Sequence, residues 1–447
     1  MACIGLLPAP ACLKPLISAN TKCLINTILT GTDEPSAMSG VVGEPGRFVV
    51  AFCGSGTGHL TQAMKVVEML QERGCILTGV VTDTDASPKM LDEMVKPLLV
   101  GEAEGQLLII PAIELVDTEK GFTPLIAPQR FVGSLLAAQE SLHNKRVEYA
   151  NFFKRARCER IYSMYHLTLA RFLQLNPLPP SVTCVHMAAQ FGLCLLPPED
   201  TPTIIEVGTK AVMDLMRDIF AVSGEVAPIG PQGGAGVLPP IIHVPAPLEP
   251  QTPKLVLCYF LVKQTALSLD AILAANPMPG VEFHCFTASP LEKPASQLQS
   301  HQKQRKLFQQ LFARCTAVIV SAGNETVWEA VCRGVPVLTV PTEGHGEQLL
   351  NAAVHARNFP HLVRSRPKLD VRDVRWLTNY NLDDPSSVAE SKRLRKMVMD
   401  FNEQGSPLLK VPNLETPRTA MREGIKRRVS GLLESAQALV TGGSSSR

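Results

Sequence analysis

The sequence predicts an α/β protein made of two doubly wound, Rossmann-like domains that face each other across a cleft. Three observations carry that expectation. A strand, a glycine-rich loop, a helix and a second strand follow one another over residues 47–82. A second alternation of strands and helices runs over residues 254–358, and prolines and glycines accumulate between the two series, over residues 195–250. Alternating strands and helices imply a parallel sheet covered by helices, and a Pro/Gly-rich stretch marks a loop or linker. A chain of 447 residues is also longer than one ordinary core. The expected division is an amino-terminal leader or extension at 1–45, a first domain at 46–240, a second at 241–400, and a helix with a disordered tail at 401–447.

The first series opens with RFVVAFC at 47–53, an apolar strand that runs straight into Gly54-Ser55-Gly56-Thr57-Gly58-His59. A helix is expected over 60–73, because Leu60, Ala63, Met64, Val67 and Leu70 share one face at the 3.6-residue period and Gly74 can end it. Residues 76–82 are the next strand, followed by Asp83-Thr84-Asp85. Further strands are expected at 107–111, 158–162 and 182–187, with helix-prone stretches at 131–157 and 166–175. In the second series, 254–262 and 281–287 read as strands, and 267–275 and 304–314 as helices. Beyond Asn358 the chain turns basic, and an amphipathic helix is expected at 418–439.

Residues 315–358 are the most legible stretch. The β-branched run to Val320 suits a buried parallel strand. Ser321-Ala322-Gly323-Asn324 breaks it, with Gly323 or Asn324 placed to cap a helix over 325–333. Gly334 supplies a left-handed residue to stop that helix, and Pro336 forbids its continuation. Residues 337–340 are the next strand, and a loop containing Gly344 and His345 leads to another helix. Ligands of open parallel sheets bind at the carboxyl ends of the strands, and a helix amino terminus there suits a phosphate.

Composition narrows the function classes. A content of 45% hydrophobic and 19% charged residues fits a globular protein, and a net charge of +2 gives no reason to expect nucleic acid as a partner. The twelve cysteines show no metal-ligand spacing, and many sit in apolar runs, as reduced thiols of an intracellular, cytoplasmic protein would. No metal site is expected. No apolar run reaches the ~20 residues of a transmembrane helix. Residues 1–32 contain no Asp or Glu. An organelle transit peptide, an over-long amino terminus upstream of Met38 and a poorly ordered extension all fit, and the choice stays open.

The first loop is GxGxGH, not GxGxxG. Its glycines allow close approach to a phosphate or sugar, and Asp83 and Asp85 lie where dinucleotide folds place a ribose carboxylate, so a nicotinamide site is one alternative. A plain tight turn is another. His59 has the chemistry of a general base, since imidazole takes a hydroxyl proton near neutral pH. The bland alternative is an exposed or capping histidine.

The run AGNETVWEA-x₃-GVPVL-x-VP-x₅-EQLLNA resembles the nucleotide-sugar-binding half of GT-B glycosyltransferases. It looks like the peptidoglycan N-acetylglucosaminyltransferase and, more distantly, the secondary-metabolite UDP-glycosyltransferases. The similarity extends to little-characterised bacterial and archaeal glycosyltransferases whose first loop is similar to GSGTGH. It is strong over 318–353, moderate over 49–63 and faint elsewhere. The resemblance implies a sugar transferase that uses a nucleotide-diphosphate donor, UDP-linked, with inversion and without a metal or further cofactor. By it, Glu329 matches the carboxylate that holds the ribose hydroxyls, and Gly323, Asn324 and Thr326 match the turn that meets the pyrophosphate. Glu347 and Gln348 match the pair that reads donor-sugar hydroxyls, with Gly344 and His345 lining the same loop. Gly54, Ser55, Gly56, Thr57 and Gly58 match a phosphate or acceptor loop, and His59 a histidine near the acceptor.

Two departures stand out. Ser321 replaces the histidine that contacts phosphate in the secondary-metabolite enzymes, and Tyr259-Phe260-Leu261-Val262 replaces a second glycine-rich loop of the peptidoglycan enzyme. The alternatives are therefore a UDP-sugar epimerase or hydrolase of the same fold, or a binder of nucleotide sugars without turnover. The acceptor is not legible. A lipid-linked acceptor would suit a weak membrane-surface contact by the basic residues after Arg357, for which a solvated basic face is the simpler reading.

Overall fold

The structure is a computed structural model that describes residues 46–55, 58–114, 116–117, 121–122, 127–197, 201, 203–233, 236–246 and 253–404. The leader at 1–45, Gly56, Thr57 and the helix expected at 418–439 lie outside the described residues.

Two six-stranded sheets dominate. The first contains β1 (Arg47–Phe52), β2 (Ile76–Asp83), β3 (Leu107–Ile110), β6 (Arg160–Met164), β7 (Thr183–Ala188) and β8 (Glu225–Pro228), in the order β3-β2-β1-β6-β7-β8. The short antiparallel pair β4 (Val116–Asp117) and β5 (Gly121–Phe122) stands apart from it. The second contains β9 (Lys254–Tyr259), β10 (Val281–Thr287), β11 (Leu298–Gln302), β12 (Ala317–Val320), β13 (Val337–Thr339) and β14 (Val363–Ser365), in the order β11-β10-β9-β12-β13-β14. All the pairings in both sheets are parallel. Each sheet therefore has the doubly wound order, with a switch point where the chain reverses direction across the sheet. That point lies between β1 and β6 in the first sheet and between β9 and β12 in the second.

The helices of the first half are α1 (Gly58–Gln71), α2 (Pro128–Asn144), α3 (Arg146–Ala156), α4 (Leu167–Leu175), α5 (Ala189–Leu193) and α6 (Ile204–Ser223). The second half adds α7 (Lys263–Ala275), α8 (Arg305–Phe312), α9 (Asn324–Arg333), α10 (Gly346–Asn358), α11 (Val371–Thr378) and α12 (Pro385–Gln404). One hydrophobic cluster runs through both halves. It joins Phe52 and Leu60, Ile241 and Ile242 of the crossover, Val318 and Trp328, and Leu394, Val398 and Phe401 of α12. Arg73, just past α1, also donates to the Asn402 carbonyl at 2.5 Å. No helix among the described residues is long and apolar enough to cross a membrane.

Three sequence expectations need correction. The stretch 195–250 is not simply a linker, since it holds the twenty-residue helix α6 and the strand β8. A capping box starts α6: Thr203 Oγ1 accepts from the Glu206 N–H, and Glu206 accepts from the Thr203 N–H. The helix-prone stretch 131–157 is two helices meeting at Lys145, the second ended by left-handed Arg157. β11, α11 and α12 were not expected.

Candidate active site between the two switch points

The carboxyl ends of β1 and β12 carry the same device, a strand that turns sharply into a helix. In the first turn the Gly54 N–H donates to Asp83 Oδ1 at 3.0 Å, and the Asp85 N–H donates to the same oxygen at 3.1 Å. A Cβ on Gly54 would lie 2.3 Å from the Ala86 nitrogen, so only glycine fits. In the second turn Ala322 holds a left-handed φ of 59° while fully buried. Its carbonyl accepts from Asn351 Nδ2 at 3.3 Å, and Ser321 Oγ accepts from the Leu261 N–H at 3.3 Å. Gly323 is the N-cap of α9 and has no side chain to cap that end, while in the first turn the Glu325 carboxylate takes up its own backbone N–H.

The two turns border one cavity of about 210 Å³. From the first half it is lined by Ser55, Gly58, His59 and Gln62, with Tyr165 and Gln190. From the second half come Gly323, Asn324, Glu325, His345, Glu347 and Gln348. Most residues singled out from the sequence thus converge. Gly54, Ser321, Thr326, Glu329 and Gly344 do not line the cavity: Gly54 and Ser321 are buried in the turns beneath it, and left-handed Gly344 is exposed in the loop before α10. Glu329 sits one helical turn beyond Glu325, displaced by the rise of α9.

Two amide–carboxylate bonds cross the cleft. Gln62 Nε2 donates to Glu325 Oε1 at 2.6 Å, and Gln190 Nε2 donates to Glu347 Oε1 at 3.0 Å. Gln348 is tied to its own loop, its Oε1 accepting from the Thr342 N–H at 2.7 Å. The first half closes on α10 so tightly that a Cβ on Gly346 would meet Thr209 Oγ1 of α6 at 1.9 Å. Gln62, Glu325 and Asn351 were not foreseen. Gln62 follows His59 by three residues and shares its helix face, which is the signal that could have found it.

The electrostatics are unusual for a phosphate site. Four carboxylates (Asp83, Asp85, Glu325 and Glu347) line the cavity, and no lysine or arginine does so among the described residues. Burial pushes the Glu347 carboxyl up to about 7, against the pull of the Gln190 hydrogen bond. Burial raises Glu325 as well, against its own backbone N–H and Gln62. Burial, then Glu325, pushes Glu329 up to about 8, opposed by Arg305. Glu347 and Glu329 are therefore partly protonated near neutrality, which lowers the negative charge a diphosphate would meet. Burial and the neighbouring His166 hold His59 down to about 4, and its ring packs edge-on to Tyr165 at 5.7 Å. Such an imidazole is neutral, as a base must be, but it is a weak base.

No family model and no curated protein matches this chain in sequence. Its backbone is nevertheless similar to solved structures. The glycotransferase of kitacinnamycin superposes with a TM-score of 0.54 at 12% identity, over 82% of this chain and 99% of that one. Arabidopsis thaliana UGT89C1 complexed with UDP-L-rhamnose gives 0.52 at 14% identity, over 84% and 99%. Medicago truncatula UGT71G1 complexed with UDP-glucose gives 0.53 at 12% identity, over 87% and 98%. The fold is GT-B. The expected pair of Rossmann-like domains is thereby established, and the cavity occupies the cleft between the two sheets of a GT-B protein.

Proposed function

We propose that this protein is a glycosyltransferase that moves a sugar from a nucleotide-diphosphate donor, UDP-linked, to an acceptor hydroxyl. The observation that carries the reading is the meeting of the two switch-point turns at one cavity, with the uncapped amino terminus of α9 facing the glycine loop. The donor diphosphate would rest on the N–H groups at Asn324, which stabilise the leaving group as its charge develops. Glu347 would accept from donor-sugar hydroxyls and Glu329 from the ribose. His59 would orient or deprotonate the acceptor. The resemblance to UDP-glycosyl enzymes supports a metal-independent, inverting transfer. The fold likeness to UDP-sugar-bound structures supports the donor class.

A second reading is a protein that binds nucleotide sugars without turnover. The acidic lining and the low basicity of His59 favour it. Thermal shift over UDP-sugars, with UDP release measured in parallel, separates the two. A rise in melting temperature with release of UDP is expected, since a ligand that binds only the native state stabilises it. Glu329→Ala should weaken donor binding about tenfold, the worth of a lost pair of hydrogen bonds. Binding without release in any acceptor mixture establishes the second reading. Preference for a nicotinamide cofactor over UDP-sugars would sink both.

A further inference from the structure

The cavity between the switch points holds about 210 Å³. Pockets that take a drug-sized ligand begin at about 300 Å³, and a nucleotide-diphosphate sugar is no smaller than such a ligand. The cleft as it stands is too narrow for the donor, and two bonds keep it so. Gln62 of α1 donates to Glu325 of α9 at 2.6 Å, and Gln190 of α5 donates to Glu347 of α10 at 3.0 Å. At the first contact a Cβ on Gly58 would lie 2.9 Å from Glu325 Oε2, so the carboxylate rests on the amino terminus of α1. Burial raises both carboxyls, and the amide that donates to each pulls it back. A buried carboxylate is costly, and one amide donor repays only part of that cost. The shut arrangement therefore depends on these two bonds and opens when another donor can replace the amides.

We infer that Gln62 and Gln190 form a two-point latch, holding on Glu325 and Glu347 the places that hydroxyls of an entering substrate take over. The inference rests on the glycosyltransferase reading for the identity of the ligand, and on the two bonds for the latch. It also gives a ligand contact to Glu325, which that reading leaves without a role. An amide N–H and a hydroxyl O–H donate to a carboxylate in the same way, so the exchange keeps each acid paired. Entry then trades one donor for another instead of baring a buried charge. A ligand with no hydroxyl to offer at both carboxylates cannot complete the trade, so the latch selects as well as gates.

Gln62→Met combined with Gln190→Met keeps the length of both side chains and removes both donors. Cys53 lines the same cavity, and burial, more than the nearby Asp83, holds its thiol well above the ordinary range. Its rate of alkylation by N-ethylmaleimide, read peptide by peptide in a mass spectrometer, reports how often the cleft opens and needs no substrate. In the double variant that rate should rise at least about tenfold, while Cys285, buried in the second sheet, stays unlabelled. UDP-glucose should associate faster by a similar factor in stopped flow. Gln62→Lys sets a charged donor against Glu325 and should slow both processes, which keeps the test decisive if the double variant does not fold. Cys53 labelled at the wild-type rate in these variants, or faster labelling with UDP-glucose associating at the wild-type rate, overturns the inference and leaves the donor reading standing. Labelling that responds as expected, with no UDP-glucose binding to any form, sinks the donor reading and leaves the latch in place.

Discussion

The turns after β1 and β12 occupy equivalent places in the two sheets, yet they are pinned by opposite means. The first is held by lack of room. Gly54 is wedged against the backbone of Ala86, and a single carboxylate oxygen of Asp83 gathers two N–H groups under it. The second is held by hydrogen bonds around a strained alanine, and Gly323 at its tip has nothing within 4 Å of a notional Cβ. A turn fixed by packing tolerates no added atom. A turn fixed by hydrogen bonds leaves open space on its outer side, where a ligand can lie. The topology dictates where the turns go, and local chemistry decides which of them stays open.

Gly54→Ala tests the packed turn and should have the largest effect. Overpacking against backbone should cost at least about 3 kcal/mol, read as a lower midpoint in urea. A neutral result would mean the turn is looser than its contacts indicate. The acids and histidines around the cleft give a middle-sized effect. His59, held at about 4, and His186 and His355, held at about 3, are neutral in the fold and take up protons when unfolded. They make stability rise with pH up to the unfolded histidine value near 6.5. Glu347 at about 7 and Glu329 at about 8 hold protons in the fold that the unfolded chain releases above about 4.5, so they make stability fall as pH rises toward 8. With three histidines against two glutamates the melting temperature should peak near pH 6.5, and Glu329→Gln should flatten the alkaline limb. Gly323→Ala should have the smallest effect on the fold, within about 0.5 kcal/mol, because its φ of −72° suits any residue. The methyl would nevertheless face the cleft, so donor affinity should drop about tenfold by calorimetry; an unchanged affinity would place the ligand elsewhere.

The second half was the more legible in sequence because its site is local. Ser321, Gly323, Asn324, Glu347 and Gln348 lie within one strand-turn-helix and one loop-helix, where spacing fixes position. The first half was harder because its contribution is assembled across distance. Gln190 meets Glu347, and Gln62 meets Glu325, over separations that no periodicity records. The helix α6 was hidden for a different reason. A composition averaged over residues 195–250 is dominated by prolines and glycines at its ends, although the Thr203–Glu206 capping box and the inward Met213, Met216 and Phe220 were present to be read. β11, with its polar LQSHQ, is an edge strand whose outward residues resemble a loop.

The return of α12 bears on how the chain is made. Leu394, Val398 and Phe401 complete a hydrophobic cluster that begins at Phe48, more than three hundred residues earlier. Synthesis runs from the amino terminus, so the first sheet leaves the ribosome long before the last members of that cluster. The unfinished surface must wait, and during that interval it is open to chaperones or to aggregation. A stop codon just before α12 would therefore leave bare the face of α9 on which it packs.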